Sequence, residues 1–243
     1  LNPYALILSL SAFMSILVAV QAWHRRTAPG AYPLVFVSLG AAEWALGYAV
    51  ATGFQNLAMR VFLAKIQYLG IVSLPTSVLI LVLEYTGREK WLRRRNIYLL
   101  GIVPIATLLL AWTNELHHLI WADLQVSAHG SLYKLDVLYS AFFWLHAVYS
   151  YLLLLCAVLL LLRMIFFASR LQRLQSLTIL AGALLPWVGN FLYLTGWNPL
   201  PQLDLTPFGY SLSGLVLMWG LFRYQLLDMV PIARDRIVER MSD

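Results

Sequence analysis

The chain has 243 residues, 61% of them apolar and only 12% charged, about half the charged fraction of an ordinary soluble domain. That composition excludes a water-soluble globular fold, and the distribution of the net charge of +6 points to membrane topology rather than to nucleic acid. The lone Cys156 lies inside an apolar run, which excludes an internal disulfide and a CxxC redox or zinc motif.

Seven apolar segments, 3–23, 31–51, 57–84, 97–112, 138–162, 176–196 and 206–222, predict spanning helices, since about 20 residues cross a hydrocarbon core of roughly 30 Å. The first, "PYALILSLSAFMSILVAVQAW", is too long for a signal peptide and lacks a basic start and a small-residue cleavage site. It reads as a retained helix, and the absence of Met at Leu1 suggests trimming at the front. The connections sort by charge. "HRRTAPG", "REKWLRRRN" and "RMIFFASRLQRLQ" hold ten Lys/Arg, namely Arg25, Arg26, Arg88, Lys90, Arg93, Arg94, Arg95, Arg163, Arg170 and Arg173. Residues 113–137 carry Glu115, Asp123 and Asp136 against Lys134, and the last loop of that side carries only Asp204. The positive-inside rule places the N-terminus outside and the C-terminus in the cytoplasm. The fold expected is an all-α seven-transmembrane helix bundle over 1–222, with no internal repeat to favour an inverted-repeat transporter. Its one sizeable outer loop is a candidate lid bearing Asn114, His117, His118 and Trp121.

Ionisable groups inside spans are costly and call for an account. Glu43, about 18 Å up span two, and Lys65, about 12 Å down span three, reach the same level at 1.5 Å per residue. A Glu43–Lys65 ion pair is expected, serving either helix register or a ligand. His146 in span five and Asn190 in span six reach a similar depth, which predicts a polar layer in the outer half. For His146 the readings are an interhelical hydrogen bond, a ligand contact or a pH sensor. Tyr139, Phe142, His146 and Tyr149 share one helical face.

Trp23, Trp91, Trp112 and Trp121 fall near span ends and read as interface anchors. Trp44, Tyr68, Trp144, Trp187 and Tyr193 lie deeper, where they either pack or grip a flat apolar ligand. Pro75 and Pro186 interrupt spans three and six, and Gly182, Pro186, Gly189 and Asn190 make span six the one expected to flex. Adjacent His117 and His118 are weak metal ligands, because neighbours on a helix diverge by about 100°. The last span, "TPFGYSLSGLVLMWGLF", holds no Lys for a retinal Schiff base. No phosphate-binding Gly-rich loop, nucleophile–base pair or HExxH motif occurs, so no catalytic or metal site is expected.

After span seven the sequence "YQLLDMVPIARDRIVERMSD" leaves the bilayer, and Pro231 suits the first turn of a new helix. Ala233, Ile237 and Met241 recur every four residues among Arg234, Arg236, Glu239 and Arg240. That stripe fits a signalling helix over 223–243, or a helix lying on anionic lipid. Ending without a cap, it reads as a linker into a further domain.

"EWALGY", "KIQYLGIVSLPTSVLILVLEYTGREKWL", "TNELHHLIW", "LLPWVGNFLYLTG" and "DLTPFGYSLSGLVLMWGLFRYQLLDMVPIARDRIVERM" together resemble the N-terminal seven-transmembrane sensor region of bacterial histidine kinases, found also before diguanylate cyclases. The resemblance implies an inner-membrane sensor domain without catalysis of its own. It also implies a homodimer, a downstream kinase using ATP and Mg, and a cognate response regulator, with Arg223, Asp228, Pro231 and Arg234 forming the juxtamembrane connector. It names no ligand. Expected partners are the bilayer and an unidentified small molecule; a small-molecule transporter and a membrane scaffold are the competing readings.

Overall fold

The computed structural model describes residues 3–129, 132–197 and 204–224. Asp228, Pro231 and Arg234 of the expected connector lie outside the described residues, and Arg223 is the last residue of the final helix. The elements run α1 (Pro3–His24), α2 (Ala31–Ala51), α3 (Leu57–Tyr85), α4 (Arg94–Trp112), the short α5 (Asn114–His117), β1 (Trp121–His129), β2 (Leu132–Tyr139), α6 (Ala141–Phe167), α7 (Arg170–Thr195) and α8 (Thr206–Arg223). Helices α1, α2, α3, α4, α6 and α7 are long and apolar enough to cross a membrane. The 18-residue α8 packs in the same bundle against α1, α2 and α7.

Local sequence sets the helix ends. Asn56 caps α3, its Oδ1 accepting from the Met59 N–H at 3.2 Å. Ser169 and Gln172 form a capping box that starts α7 at Arg170, six residues before the expected span, because a capped polar turn extends the helix beyond its apolar stretch. At the basic end the Glu84 carboxylate accepts from the Gly30 N–H at 2.8 Å, filling one of the unpaired donors at the start of α2.

The helical bundle agrees with the expected all-α membrane fold, and the loop before α6 adds to it. There β1 and β2 form an antiparallel hairpin, in which Leu124 faces Val137 and Val126 faces Leu135. Alternation of apolar and polar residues puts these four on one face, and Leu124 and Val137 pack with Tyr68, Trp121 and Ala111. Tyr139 therefore ends a strand instead of sharing a face of α6 with Phe142, His146 and Tyr149. The hairpin is anchored at its base: Asn114 Oδ1 accepts from the N–H groups of Ile120 and Trp121, both at 3.0 Å, and its Nδ2 donates to the Trp121 carbonyl. The Trp121 side chain, expected as an exposed interface anchor, is 3% exposed and meets Tyr68 edge-on at 5.2 Å between ring centroids.

Small residues decide how the helices meet. Lipid tails are as apolar as leucine, so helices associate through close van der Waals packing where backbones can approach. α2 buries Ala41, Ala42, Ala45 and Ala49 between α1 and α3. At Gly70 of α3, an added Cβ would sit 2.4 Å from the Gly40 carbonyl oxygen and 2.6 Å from Glu43 Oε2. Between α7 and α8, a Cβ at Gly209 would lie 2.6 Å from Pro186 Cα, and one at Gly189 would lie 2.9 Å from the Leu205 backbone. The glycines of α7 that suggested flexing are thus places where α8 lies against it.

Gly70→Ala is expected to lower the thermal midpoint in detergent, at a cost of about 1–3 kcal/mol for overpacking. Gly101→Ala, whose added carbon meets only Ile105 at an ordinary 3.6 Å, should leave it unchanged. Equal midpoints for the two variants would refute the α2–α3 contact.

Candidate functional site

Beneath the hairpin lie two adjoining cavities that share Trp44, Ile71, Phe143, Asn190 and Leu194 as walls. The upper chamber, about 140 Å³, is bounded by the ends of α2, α3 and α7, by Trp121, Lys134, Leu135, Val137 and Tyr139 of the hairpin, and by Asp204 just before α8. The deeper one, about 80 Å³, runs between α3, α6, α7 and the start of α8, with Pro75, His146, Tyr151, Trp187, Thr206 and Tyr210 in its wall.

The expected polar layer divides between two places. Glu43 and Lys65 do not pair. Glu43 turns toward α3, where Oε2 accepts from the Gly70 N–H at 2.9 Å and Oε1 is buried without a partner. Lys65 reaches away from it and donates to the Trp112 carbonyl at 3.0 Å and to Glu115 at 2.7 Å, its ammonium lying 2.7 Å from the second Glu115 oxygen as well. The two were expected at one depth, but Glu43 meets α3 at Gly70, about five residues or about 7.5 Å along the helix from Lys65 and on a different face. The long Lys stem carries its charge to a carboxylate at the helix end. Neither residue lines a chamber.

His146 and Asn190 do line the deeper chamber. His146 bridges α4 and its own helix, with Nδ1 3.2 Å from Thr107 Oγ1 and Nε2 3.3 Å from Ser150 Oγ. Both ring nitrogens are engaged, as in the interhelical hydrogen-bond reading. Asn190 Oδ1 accepts from the Tyr151 hydroxyl at 3.0 Å. Trp44 borders both chambers and packs against Tyr210 at 5.8 Å, while Tyr68 and Tyr193 border the upper one. Trp144 is half exposed and leans on Phe143 and Tyr139, outside both chambers. His117 and His118 serve the turn beside them: His117 Nδ1 accepts from the Leu119 N–H at 3.0 Å, and His118 takes a left-handed conformation, with φ 52°.

Among the wall residues that escaped the sequence reading are Arg60, Gln67, Tyr48, Tyr151, Thr206 and Tyr210. Arg60 is one turn into α3 at the end of the bundle otherwise poor in Lys and Arg, and that anomaly is the signal that marks it. It is 2% exposed. Its Nη1 donates to the Phe54 carbonyl at 3.0 Å, and its Nε is buried with no partner among the described residues. A buried cation without a carboxylate costs several kcal/mol. Asp204, in the same wall, lies outside the helices, and burial pushes its carboxyl above the ordinary range against the opposing pull of its Thr206 hydrogen bonds. Its Oδ1 accepts from the Thr206 N–H at 2.9 Å and hydroxyl at 2.6 Å, and its own N–H donates to the Tyr48 hydroxyl at 3.2 Å.

The chambers thus combine an aromatic lining with a few fixed polar groups, a composition suited to holding a small ligand. The lining residues that carry protons or charge are spread around the wall and, apart from the Arg60 Nε, are engaged with their own neighbours.

The Lys65 hydrogen bond, at the surface, holds the Glu115 carboxyl below its ordinary value of 4.5. A carboxyl with a depressed folded pKa adds stability that is complete above its unfolded value and is lost as the pH falls through the folded one. Glu115→Gln should therefore melt slightly below the parent at neutral pH, by less than about 1 kcal/mol because Glu115 is largely exposed. The two should melt together at about pH 3. A gap that persists in acid would refute the ion pair as its source.

A search of curated proteins finds no match to this chain. The family described as the N-terminal 7TM region of histidine kinase matches residues 7–231, from the first helix through α8 and beyond it. With its apolar helices and the hairpin-covered cavities between them, the chain is a multi-pass membrane protein that belongs to the N-terminal seven-transmembrane family of histidine kinases.

Proposed function

We propose that this chain is the input domain of a bacterial two-component histidine kinase. In this reading seven helices span the inner membrane, with the hairpin outside and the basic loops in the cytoplasm, and the paired chambers receive a small-molecule stimulus. The observation that carries the proposal is the placement of α8. Its first turns, at Thr206 and Tyr210, form part of the deeper chamber's wall, while its last turn leads to the connector of Arg223, Asp228, Pro231 and Arg234.

The helix is tied at both ends. Near the chambers, the Ser11 hydroxyl donates to the Pro207 carbonyl at 2.9 Å, and Asp204 braces the entry to α8. At the basic end, Gln175 Nε2 donates to the Tyr224 carbonyl at 2.9 Å, and Gln175 Oε1 accepts from the Tyr85 hydroxyl at 3.1 Å. α7 therefore grips α8 through close glycine contacts at one end and a buried amide at the other. A ligand that favours one packing of α7 against α8 shifts the exit of α8, and only a difference in affinity between two packings can transmit anything. The connector would pass this shift to a dimeric kinase that uses ATP and Mg and phosphorylates a response regulator.

Two results test the reading. The gene should continue past Asp243 into a phosphoacceptor-histidine segment and an ATP-binding domain, and the full-length protein in proteoliposomes should autophosphorylate without net solute flux; solute uptake would make it a transporter. Gln175→Ala should change the basal autophosphorylation rate several-fold and also lower the thermal midpoint, because it frees the inner end of α8 and removes the hydrogen bonds of a buried amide. An unchanged rate would remove Gln175 from the relay.

A further inference from the structure

We infer that the upper chamber is an anion site for a small carboxylate with an apolar body, whose head is received by Arg60 and whose body is enclosed by Trp44, Tyr68 and Trp121. This rests on the reading of the chambers as the input site and names the ligand class they take.

The charge balance of the wall points to an anion. Three charged residues border the chamber: Arg60, Lys134 and Asp204. Lys134 lies 3.2 Å from Asp136, and Asp204 is engaged by Thr206. No carboxylate pairs with Arg60 among the described residues. An arginine near a helix end normally extends its head to water. This one is 2% exposed and held in place by the Phe54 carbonyl through Nη1. Its Nε edge is left unbonded, and the planar fork of a guanidinium fits a carboxylate better than any other partner of one negative charge.

Size and lining set the rest of the ligand. A cavity of about 150 Å³ is known to admit benzene, and the upper chamber measures about 140 Å³, with the deeper one of about 80 Å³ continuing from it across shared walls. The aromatic faces of Trp44, Tyr68 and Trp121 suit an apolar body. Gln67, 8% exposed, also lines the chamber, about two turns along α3 from Arg60, and supplies an amide to the ligand's body. A carboxylate of this kind can arrive from water as an aromatic acid or from the bilayer as an acyl chain, and the head-group chemistry is common to both.

The test uses the full-length protein in lipid nanodiscs, with benzoate and decanoate as acids and benzamide and decanol as their uncharged counterparts. Thermal unfolding and binding of radiolabelled acid are measured for the parent, Arg60→Met and Arg60→Lys. At least one acid should raise the melting temperature where its uncharged counterpart does not, benzoate indicating a water-borne and decanoate a membrane-borne source. Affinity should fall about tenfold or more in Arg60→Met, the expected loss of a charge-assisted hydrogen bond, and be partly kept in Arg60→Lys. Without ligand, Arg60→Met should melt at or above the parent temperature, since removing an unpaired buried charge relieves its desolvation. The inference is overturned if acid and uncharged counterpart act alike, if neither acid binds the parent, or if Arg60→Met binds as the parent does. It is also overturned if Arg60→Met melts well below the parent without ligand, which would make Arg60 a brace for the α2–α3 turn. The comparison of acid with its counterpart on the parent protein decides the matter even if no variant folds. Failure of this test leaves the sensor reading to its own tests, which measure flux, phosphorylation and coding sequence.

Discussion

Hydrocarbon gives apolar helices no reason of its own to associate, so this bundle depends on places where two backbones come close enough for dispersion and short polar contacts to hold them. Those places are glycine. Gly70 of α3 accepts the Gly40 carbonyl and the Glu43 carboxylate into the space a side chain would fill, and Gly189 and Gly209 do the same between α7 and α8. The first contact fixes the pair of helices that bears Trp44, Arg60 and Tyr68. The second fixes α8 against the helix that bears Asn190 and Tyr193. Since the chambers lie between these two pairs, their shape is set by distances that one extra carbon would change.

The hairpin completes the arrangement from outside the helices. It is held at its base by the three hydrogen bonds of Asn114 and near its far end by Gln55, whose amide donates to the Tyr133 hydroxyl at 2.6 Å. A two-stranded hairpin is marginal alone; here its apolar face rests on Tyr68 and Trp121, which makes it part of the cavity wall. Burial beneath it leaves Arg60 and Asp204 away from bulk water, where a ligand's charge has more effect than it would at a surface.

α8 then supplies the geometry that a sensor needs. One end of it faces a cavity and the other leaves the bundle at the basic side, tied there by Gln175 to Tyr85 and Tyr224. Packed interfaces of this kind have discrete arrangements instead of a continuum, and in the proposed input-domain reading small displacements at Thr206 and Tyr210 would select between positions of α8.

Composition, apolar length and the asymmetry of Lys and Arg were enough to read a helical membrane bundle, and the quoted segments were enough to read its family, because hydrocarbon thickness and loop charge act on each segment separately. Span ends came out within a few residues except where polar residues extend a helix, as Ser169 and Gln172 do for α7. Depth along the axis was legible in part: His146, Asn190, Trp44, Tyr68 and Tyr193, read as lying deep in the spans, border the chambers, whereas Glu43 meets α3 at Gly70 and not at the level of Lys65. Rotation about the axis was not. It depends on which faces pack, and together with an axial offset of about five residues along α3 it separated Lys65 from Glu43, gave Lys65 to Glu115 and turned Arg60 inward. The hairpin was legible only in retrospect, in the alternation of Leu124, Val126, Leu135 and Val137, since a short amphipathic strand pair has no signal to rival that of a spanning helix. Hydropathy therefore determined that this chain is a membrane bundle. Tertiary packing alone decided which buried charges find partners and which one is left facing a cavity, because pairing requires two side chains to share a direction as well as a depth.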